Sequence, residues 1–333
     1  MELGTGLFTC QRRPDDDRST AEIYDEMLEL GRVIDDAGLD SAWVSEHHFL
    51  ADGYLSGVTP ALGALAAVTD DVELGPCIAL APLYDAVRLA EDVATVDQIA
   101  DGRATLGLAI GSNPREFEAF GVPTDERVDR LTDAVALLRG AWSPGPLDYD
   151  PAFHDVDPDV TVTPKPAHDL PVMLGGAAKP AVRRAARIGD AWCAPSALSV
   201  DGVRKRAEDI ERVREAEDAD GDFQIYVLQH GFVGDSREDA WDAMKDGYFF
   251  LQRRYEEIFS GDSVPELDAE RRDELKEQAI FGTPEQVAEG IETYREALGD
   301  DIHLVFRTYH PGVGTETMAD CIRRLGNDVK PAL

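Results

Sequence analysis

The sequence predicts an α/β protein, a single (β/α)8 barrel spanning residues 1–333. Three observations carry that prediction. Short runs that are apolar along nearly their whole length alternate with stretches whose apolar residues recur at helical spacing, the pattern of a parallel sheet covered by helices. The alternation repeats eight times, which closes a barrel rather than leaving an open doubly wound sheet. The stretch SAWVSEHHFL at 41–50 reads as a buried strand ending abruptly in Glu46, His47 and His48. Three ionisable groups are costly in a core, so they belong at a strand's outer end, where a barrel carries its chemistry.

The elements follow in order. Leu3–Thr9 is the first strand. Thr20–Ala37 is a helix, with Ile23, Met27, Leu30 and Ile34 on one face and Gly38 as its stop. Ala42–Ser45 is the second strand, and Val58–Val68 an Ala/Leu-rich helix. Val72–Leu80 is a third strand interrupted by Gly75-Pro76, which predicts a bulge or an unusual peptide. Ala86–Ile99 is a helix, and Asp101-Gly102 turns the chain into a fourth strand, Ala104–Ile110. A Pro/Asp-rich insertion without a helix occupies 143–169. Strands at Pro171–Gly175, Ala191–Ala194, Phe223–Phe232 and Ile302–Thr308 complete the eight. Helices are expected at Pro180–Ile188, Val203–Ala216, Arg237–Phe259, Pro284–Leu298 and Glu316–Asn327, with a charged insertion at 260–277.

Composition narrows the function. Thirty-two basic residues face 66 acidic ones, a formal charge of −34. With no basic stripe to neutralise phosphates, nucleic acid is not expected as a partner. The acidic residues are spread along the chain and only six lysines are present, Lys165, Lys179, Lys205, Lys245, Lys276 and Lys330. Such a surface suits a cytoplasm at molar salt, where the Debye length is only ~3 Å and self-repulsion is screened. Four scattered cysteines form no CxxC pair and no metal spacing; Cys77 and Cys193 read as buried thiols. No apolar run reaches the ~18 residues a membrane span needs, and no signal-peptide pattern opens the chain, so a cytoplasmic location is expected.

His47 and His48 are adjacent, so their side chains leave the strand end on opposite faces. One enters a cavity while the other packs on Glu46 or on backbone. A carboxylate beside an imidazole fixes its tautomer and raises its basicity, which makes a general base at the barrel mouth. Glu46, His47 and His48 are therefore the candidate catalytic cluster. Other motifs have plainer readings. Gly175-Gly176 serves equally as a tight strand–helix turn. EFEAFGV at 116–122 packs Phe117 and Phe120 as a lid or an interface, and Trp43 is core. His310 either lines the pocket or sits in solvent.

Several motifs, taken together and in this order, resemble a known family. They are WVSEHHF at 43–49, RLAEDVATVDQIADGRATLGLAIG at 88–111, EFEAFGV followed by Arg127, PVMLGG at 171–176 with AARIGDAW at 185–192, and FGTPEQV at 281–287. The chain resembles the bacterial-luciferase-like flavin-dependent monooxygenases and oxidoreductases over nearly its whole length. The resemblance implies a luciferase-like TIM barrel that binds FMN, or the related deazaflavin coenzyme F-420, at the strands' C-terminal mouth. It assigns His47 to the flavin chemistry, Cys77 and Ile78 to a third-strand bulge against the isoalloxazine ring, and Arg127 to the flavin phosphate. The chain also departs from luciferase. Ile110 stands where luciferase has a second phosphate-contacting arginine, and Ala109 where it has a reactive cysteine. Ala177 and Ala178 replace acidic and hydroxyl residues that bracket the phosphate. The grip on phosphate is left to the backbone of Gly175, Gly176, Ala177, Ala178 and Lys179 at a helix start, to the Lys179 side chain and to Arg127.

The expected function is a flavin-dependent oxidoreductase, a monooxygenase using reduced FMN and O2 on a small organic substrate. The alternatives are a deazaflavin-dependent hydride-transfer dehydrogenase in the same barrel and a non-catalytic flavin-binding subunit. A flavin reductase is an expected partner. A homodimer or larger assembly is expected too, through Phe117, Phe120, Leu62, Leu65 and Val68.

Overall fold

The computed structural model describes residues 1–157 and 159–333, so Pro158, inside the 143–169 insertion, lies outside the described residues. Strand β1 (Glu2–Phe8) leads to helix α1 (Thr20–Asp36), whose Ser19 and Glu22 form a reciprocal capping box. The face predicted for α1 is the buried one: Ile23, Met27, Leu30 and Ile34 are all in the core. Then come β2 (Ser41–Val44), α2 (Val58–Ala66), β3 (Glu73–Pro76), β4 (Ala79–Leu80), α3 (Ala86–Ile99) and β5 (Leu106–Ala109). The irregularity predicted at Gly75-Pro76 lies just beyond it. The third barrel strand is split into β3 and β4, and the Cys77–Ile78 peptide between them is cis.

Two helices, α4 (Pro114–Phe120) and α5 (Arg127–Trp142), follow β5. Among the described residues no helix or strand lies between α5 and β6 (Val172–Gly175). The second half runs α6 (Lys179–Ile188), β7 (Ala191–Ala194), α7 (Val200–Ala216), β8 (Gln224–Val233) and α8 (Arg237–Ser260). It continues through α9 (Ala269–Gln278), β9 (Ile280–Gly282), α10 (Pro284–Leu298), β10 (Ile302–Arg307) and α11 (Thr315–Arg324). Helix α9 falls where the sequence reading has only a charged insertion. It buries Leu275 alone, so it carries almost no apolar periodicity to read.

All strand pairs are parallel, in the order β3-β2-β1-β10-β8-β7-β6-β5-β4. Because β3 and β4 belong to one strand, and Leu74 bridges to Ala104 ahead of β5, the sheet comes nearly full circle. Short β9 pairs with β8 outside that path. Inside the barrel, Trp43, Tyr226 and His303 pack near the strands' N-terminal half. Leu7, Cys77, Met173, Cys193 and Val305 fill the next level. The Cys77 and Cys193 sulfurs are 3.1 Å apart, and burial pushes the Cys77 thiol up, which keeps it protonated.

The expected assembly surface does not survive in full. Leu62, Leu65 and Phe117 are buried within the chain. Helix α2 turns its apolar face inward against α1 and α3, where Leu65 packs over Gly31, and Phe117 closes over Gly111. Only Phe120, 42% exposed, and half-buried Val68 remain at the surface.

Candidate active site

The C-terminal end of β2 carries two histidine–carboxylate pairs. His48 Nε2 lies 2.6 Å from Glu46 Oε1, so this histidine, as expected, packs on Glu46. Glu46 is sealed from solvent and does more than hold His48. Its Oε2 accepts from the Leu80 amide at 2.7 Å, and its Oε1 accepts from the Tyr84 hydroxyl at 2.8 Å. Glu46 thus ties the end of β2 to the end of β4. That is a bracing role, fully satisfied by hydrogen bonds, as a buried carboxylate requires.

His47 faces the other way, and its carboxylate comes from elsewhere. Its Nδ1 is 3.0 Å from Glu116 Oε1, an atom that also accepts from the His48 amide at 2.9 Å. Glu116 lies in the first turn of α4, where a helix start favours negative charge, and Asn113 caps that helix. Its other oxygen, Oε2, is buried without a partner among the described residues. With Glu116 charged, the proton of neutral His47 sits on Nδ1, and Nε2, which bonds nothing among the described residues, is the acceptor. The ring stands edge-on to Tyr54 with centroids 4.9 Å apart. The Tyr54 hydroxyl bonds Ser45 Oγ at 2.8 Å and the Tyr255 hydroxyl at 3.1 Å. Arg307 Nη1 donates to Tyr255 at 2.8 Å. A polar rail therefore runs from β2 through α8 to the end of β10.

The residues expected to meet a cofactor gather on the neighbouring strands. The strand interiors are buried, but Ile78, Ala109, Ile110, Gly175, Gly176 and Ala177 are all partly exposed, which marks the open side of the mouth. A Cβ on Gly175 would fall 2.0 Å from Ile78 Cδ1 and 4.0 Å from Ala109 Cβ, so only glycine lets these three strand ends converge. Beyond them, the residue ahead of α6, Ala178, offers no side-chain cap, and Lys179 is exposed on its first turn. Arg127 opens α5. It is half-buried and makes no ion pair among the described residues. Arg206 of α7, which the sequence reading passed over, donates through Nε to Ala177 O at 2.7 Å. Lys179, Lys205, Arg206 and Arg212 line one surface depression with Asp209; Lys205 pairs with Asp201 and Arg212 with Asp209. An uncapped helix start among cations suits a phosphate, and the apolar edge of Ile78, Ala109 and Ile110 suits a flat ring.

Comparison with known proteins shows the family. The family described as luciferase-like monooxygenase matches residues 1–301. The chain belongs to that family. The flavin-dependent trigonelline monooxygenase, oxygenase component, of Acinetobacter baylyi is 26% identical, the match covering 98% of this chain and 94% of that one. The oxygenating constituent of 3,6-diketocamphane monooxygenase from Pseudomonas putida, a type II Baeyer-Villiger enzyme solved with FMN, superimposes with a TM-score of 0.79 at 20% identity. That match covers 99% of each chain. An F-420-dependent secondary alcohol dehydrogenase superimposes with a TM-score of 0.76 at 19% identity, covering 100% of this chain and 99% of that one. Members of this fold thus use either type of coenzyme, and the fold alone does not choose between them.

Against the family background, the sequence reading found the histidines but missed the partners that orient them. Glu116 stands 69 residues from His47. EFEAF gives no sign that its first glutamate turns inward, although Phe117 beside it is buried as its apolar character suggests. Tyr54, Tyr255 and Arg307 carry no motif at all. His310 is neither solvent-exposed nor free: it is fully buried, its ring 5.9 Å from that of His230. Burial and the Arg307 charge push His310 down to about 3, and His230 is held low for the same reasons.

Proposed function

We propose that this protein is the oxygenase of a two-component flavin monooxygenase. On this reading it binds reduced FMN at the barrel mouth and transfers an oxygen atom from O2 to a small organic substrate. The observation that carries the proposal is the His47–Glu116 pair, a base with a fixed tautomer, at the end of β2, the strand that pairs with β3 just ahead of the Cys77–Ile78 step. When bound, the reduced flavin supplies the electrons and activates O2. The chain does the rest. Ile78, Ala109 and Ile110 face the ring. The start of α6, Lys179, Arg206 and Arg127 hold the phosphate. His47 Nε2 takes or returns the proton that oxygen transfer moves, while Glu116 stabilises the charged imidazole. Tyr54 and the α8 end, with Tyr255, limit the entry of water.

The printed description of the trigonelline enzyme as an oxygenase component supports a separate reductase as the source of reduced flavin. The competing reading is a deazaflavin-dependent dehydrogenase, supported by the likeness to the F-420-dependent alcohol dehydrogenase. There His47 Nε2 would accept a substrate hydroxyl proton as hydride leaves for the coenzyme. A pure flavin-binding subunit would have no use for a base built from two separate elements.

Isotope labelling separates these readings. With reduced FMN, ¹⁸O2 and a panel of small aromatic and alicyclic compounds, the monooxygenase reading predicts one labelled oxygen atom in a product. Bleaching of oxidised F-420 by secondary alcohols without oxygen uptake would establish the dehydrogenase instead.

A further inference from the structure

Arg307 ends β10 and projects into the barrel mouth; it is the one buried arginine among the described residues, at 2% exposure. Its guanidinium is always charged. Nη1 is committed to the Tyr255 hydroxyl, yet Nε and Nη2 are both buried with no hydrogen-bond partner among the described residues. No carboxylate among the described residues lies within 4.0 Å of it. The buried carboxylates at this end of the barrel are already engaged: Glu46 with His48, Glu116 with His47, and Asp52 with Arg254. The groups near Arg307 are neutral: hydroxyls, two histidines held low, and the Tyr255 ring, whose centroid lies 5.7 Å from the guanidinium carbon and gives a cation–π contact but no counter-ion. A chain with 66 acidic residues has left its one buried arginine without a counter-ion.

A desolvated, unpaired cation is among the costlier things a fold can hold, and its persistence points to an anion supplied from outside. Which atoms are free says what kind. Nε and Nη2 form one edge of the planar guanidinium, the edge that meets the two oxygens of a carboxylate side by side. We propose that this edge of Arg307 is the docking point for a carboxylate on the substrate, so that the protein acts on an organic acid. The proposal rests on the proposed function in one respect: the mouth is where substrate meets cofactor. Both donor atoms are closed off from solvent, so the acid enters when the end of α8 carrying Tyr255 lifts. Tyr255 there stacks on Phe259, which is itself 62% exposed, and is held to the mouth by its edge contact with His47 and its hydroxyl bonds to Tyr54 and Arg307, the contacts that opening would break. Closure of α8 behind the acid would then seal the pair away from water.

The test uses benzoate, nicotinate and cyclohexanecarboxylate, with benzamide as the uncharged control, titrated into the protein in molar KCl with and without saturating FMN. At least one acid should bind tenfold or more tightly than its neutral control. Arg307→Met should lose that preference, and without ligand should melt no lower than the wild type, since it removes an unpaired charge. Arg307→Lys, which keeps the charge but not the fork, should fold and lose most of the preference. A wild type that binds no acid in the panel, or binds acid and amide alike, overturns the assignment. So does Arg307→Met binding the acid as the wild type does. If Arg307→Met instead loses FMN and melts lower, Arg307 serves the cofactor and the assignment is again wrong. Should the wild type discriminate acid from amide yet never bind FMN, the acid site stands and the flavin reading falls.

Discussion

His47 acts as a base by virtue of a residue far from it in the chain. Glu116 pins Nδ1 and leaves Nε2 open, whereas Glu46, its immediate neighbour, is spent on His48, Leu80 and Tyr84. The two histidines should therefore fail differently. His47→Ala should lower product formation by roughly 10²–10⁴-fold, the contribution of a general acid–base, while FMN affinity stays within a few-fold. His48→Ala should lower the melting temperature and spare the rate per folded molecule. Turnover and melting of the two variants at fixed salt check this; full turnover in His47→Ala with none in folded His48→Ala would exchange their roles. The buried histidines predict a pH effect of definite sign. His310 takes a proton near its ordinary 6.5 when unfolded but only at about 3 when folded. Protons therefore favour the unfolded chain across that window. Stability is full above pH 6.5 and is lost as pH falls toward 3, at about 1.4 kcal/mol per pH unit for such a group. Melts between pH 7 and 5 in molar KCl should show a shallower loss in His310→Asn than in the wild type. At this scale the Glu-His-His run was legible because its members are consecutive. Glu116 and Arg307 were not, because only the closed barrel brings them to the same mouth.

At the scale of elements, the strands were legible wherever burial on both faces left an unbroken apolar run, as at Ala191–Ala194. The helices were legible wherever one face is apolar, as in α1. Helix α9 and strand β9 were not: one buries a single leucine and the other has three residues, too short for any period to show. The apolar face of α2 was legible as a face but not as to what covers it, since the packing of α1 and α3 around it is a tertiary fact. The helix starts carry the next prediction. Arg127 stands in the first turn of α5 and Lys179 in the first turn of α6, each at a helix start. Arg127→Ala should weaken FMN binding by ~1–3 kcal/mol, the scale of a charge-assisted hydrogen bond left unmade. Equal dissociation constants for variant and wild type would remove Arg127 from the phosphate site.

The whole molecule is governed by its charge of −34. Its ion pairs are mostly exposed pairs of modest worth, so they do not balance the repulsion among the remaining carboxylates. Below ~0.1 M salt the Debye length reaches ~10 Å and neighbouring carboxylates repel across it. The melting temperature should rise from 0.1 M to molar KCl, and a flat or falling curve would contradict the saline reading of this surface. The central claim, that the barrel mouth is a flavin site, is tested most directly by one absorbance titration of the protein in molar KCl with FMN and, separately, with F-420. The account predicts that the FMN spectrum shifts and saturates at one flavin per chain while that of F-420 is unchanged. Perturbation of F-420 alone, or of neither coenzyme, would contradict it.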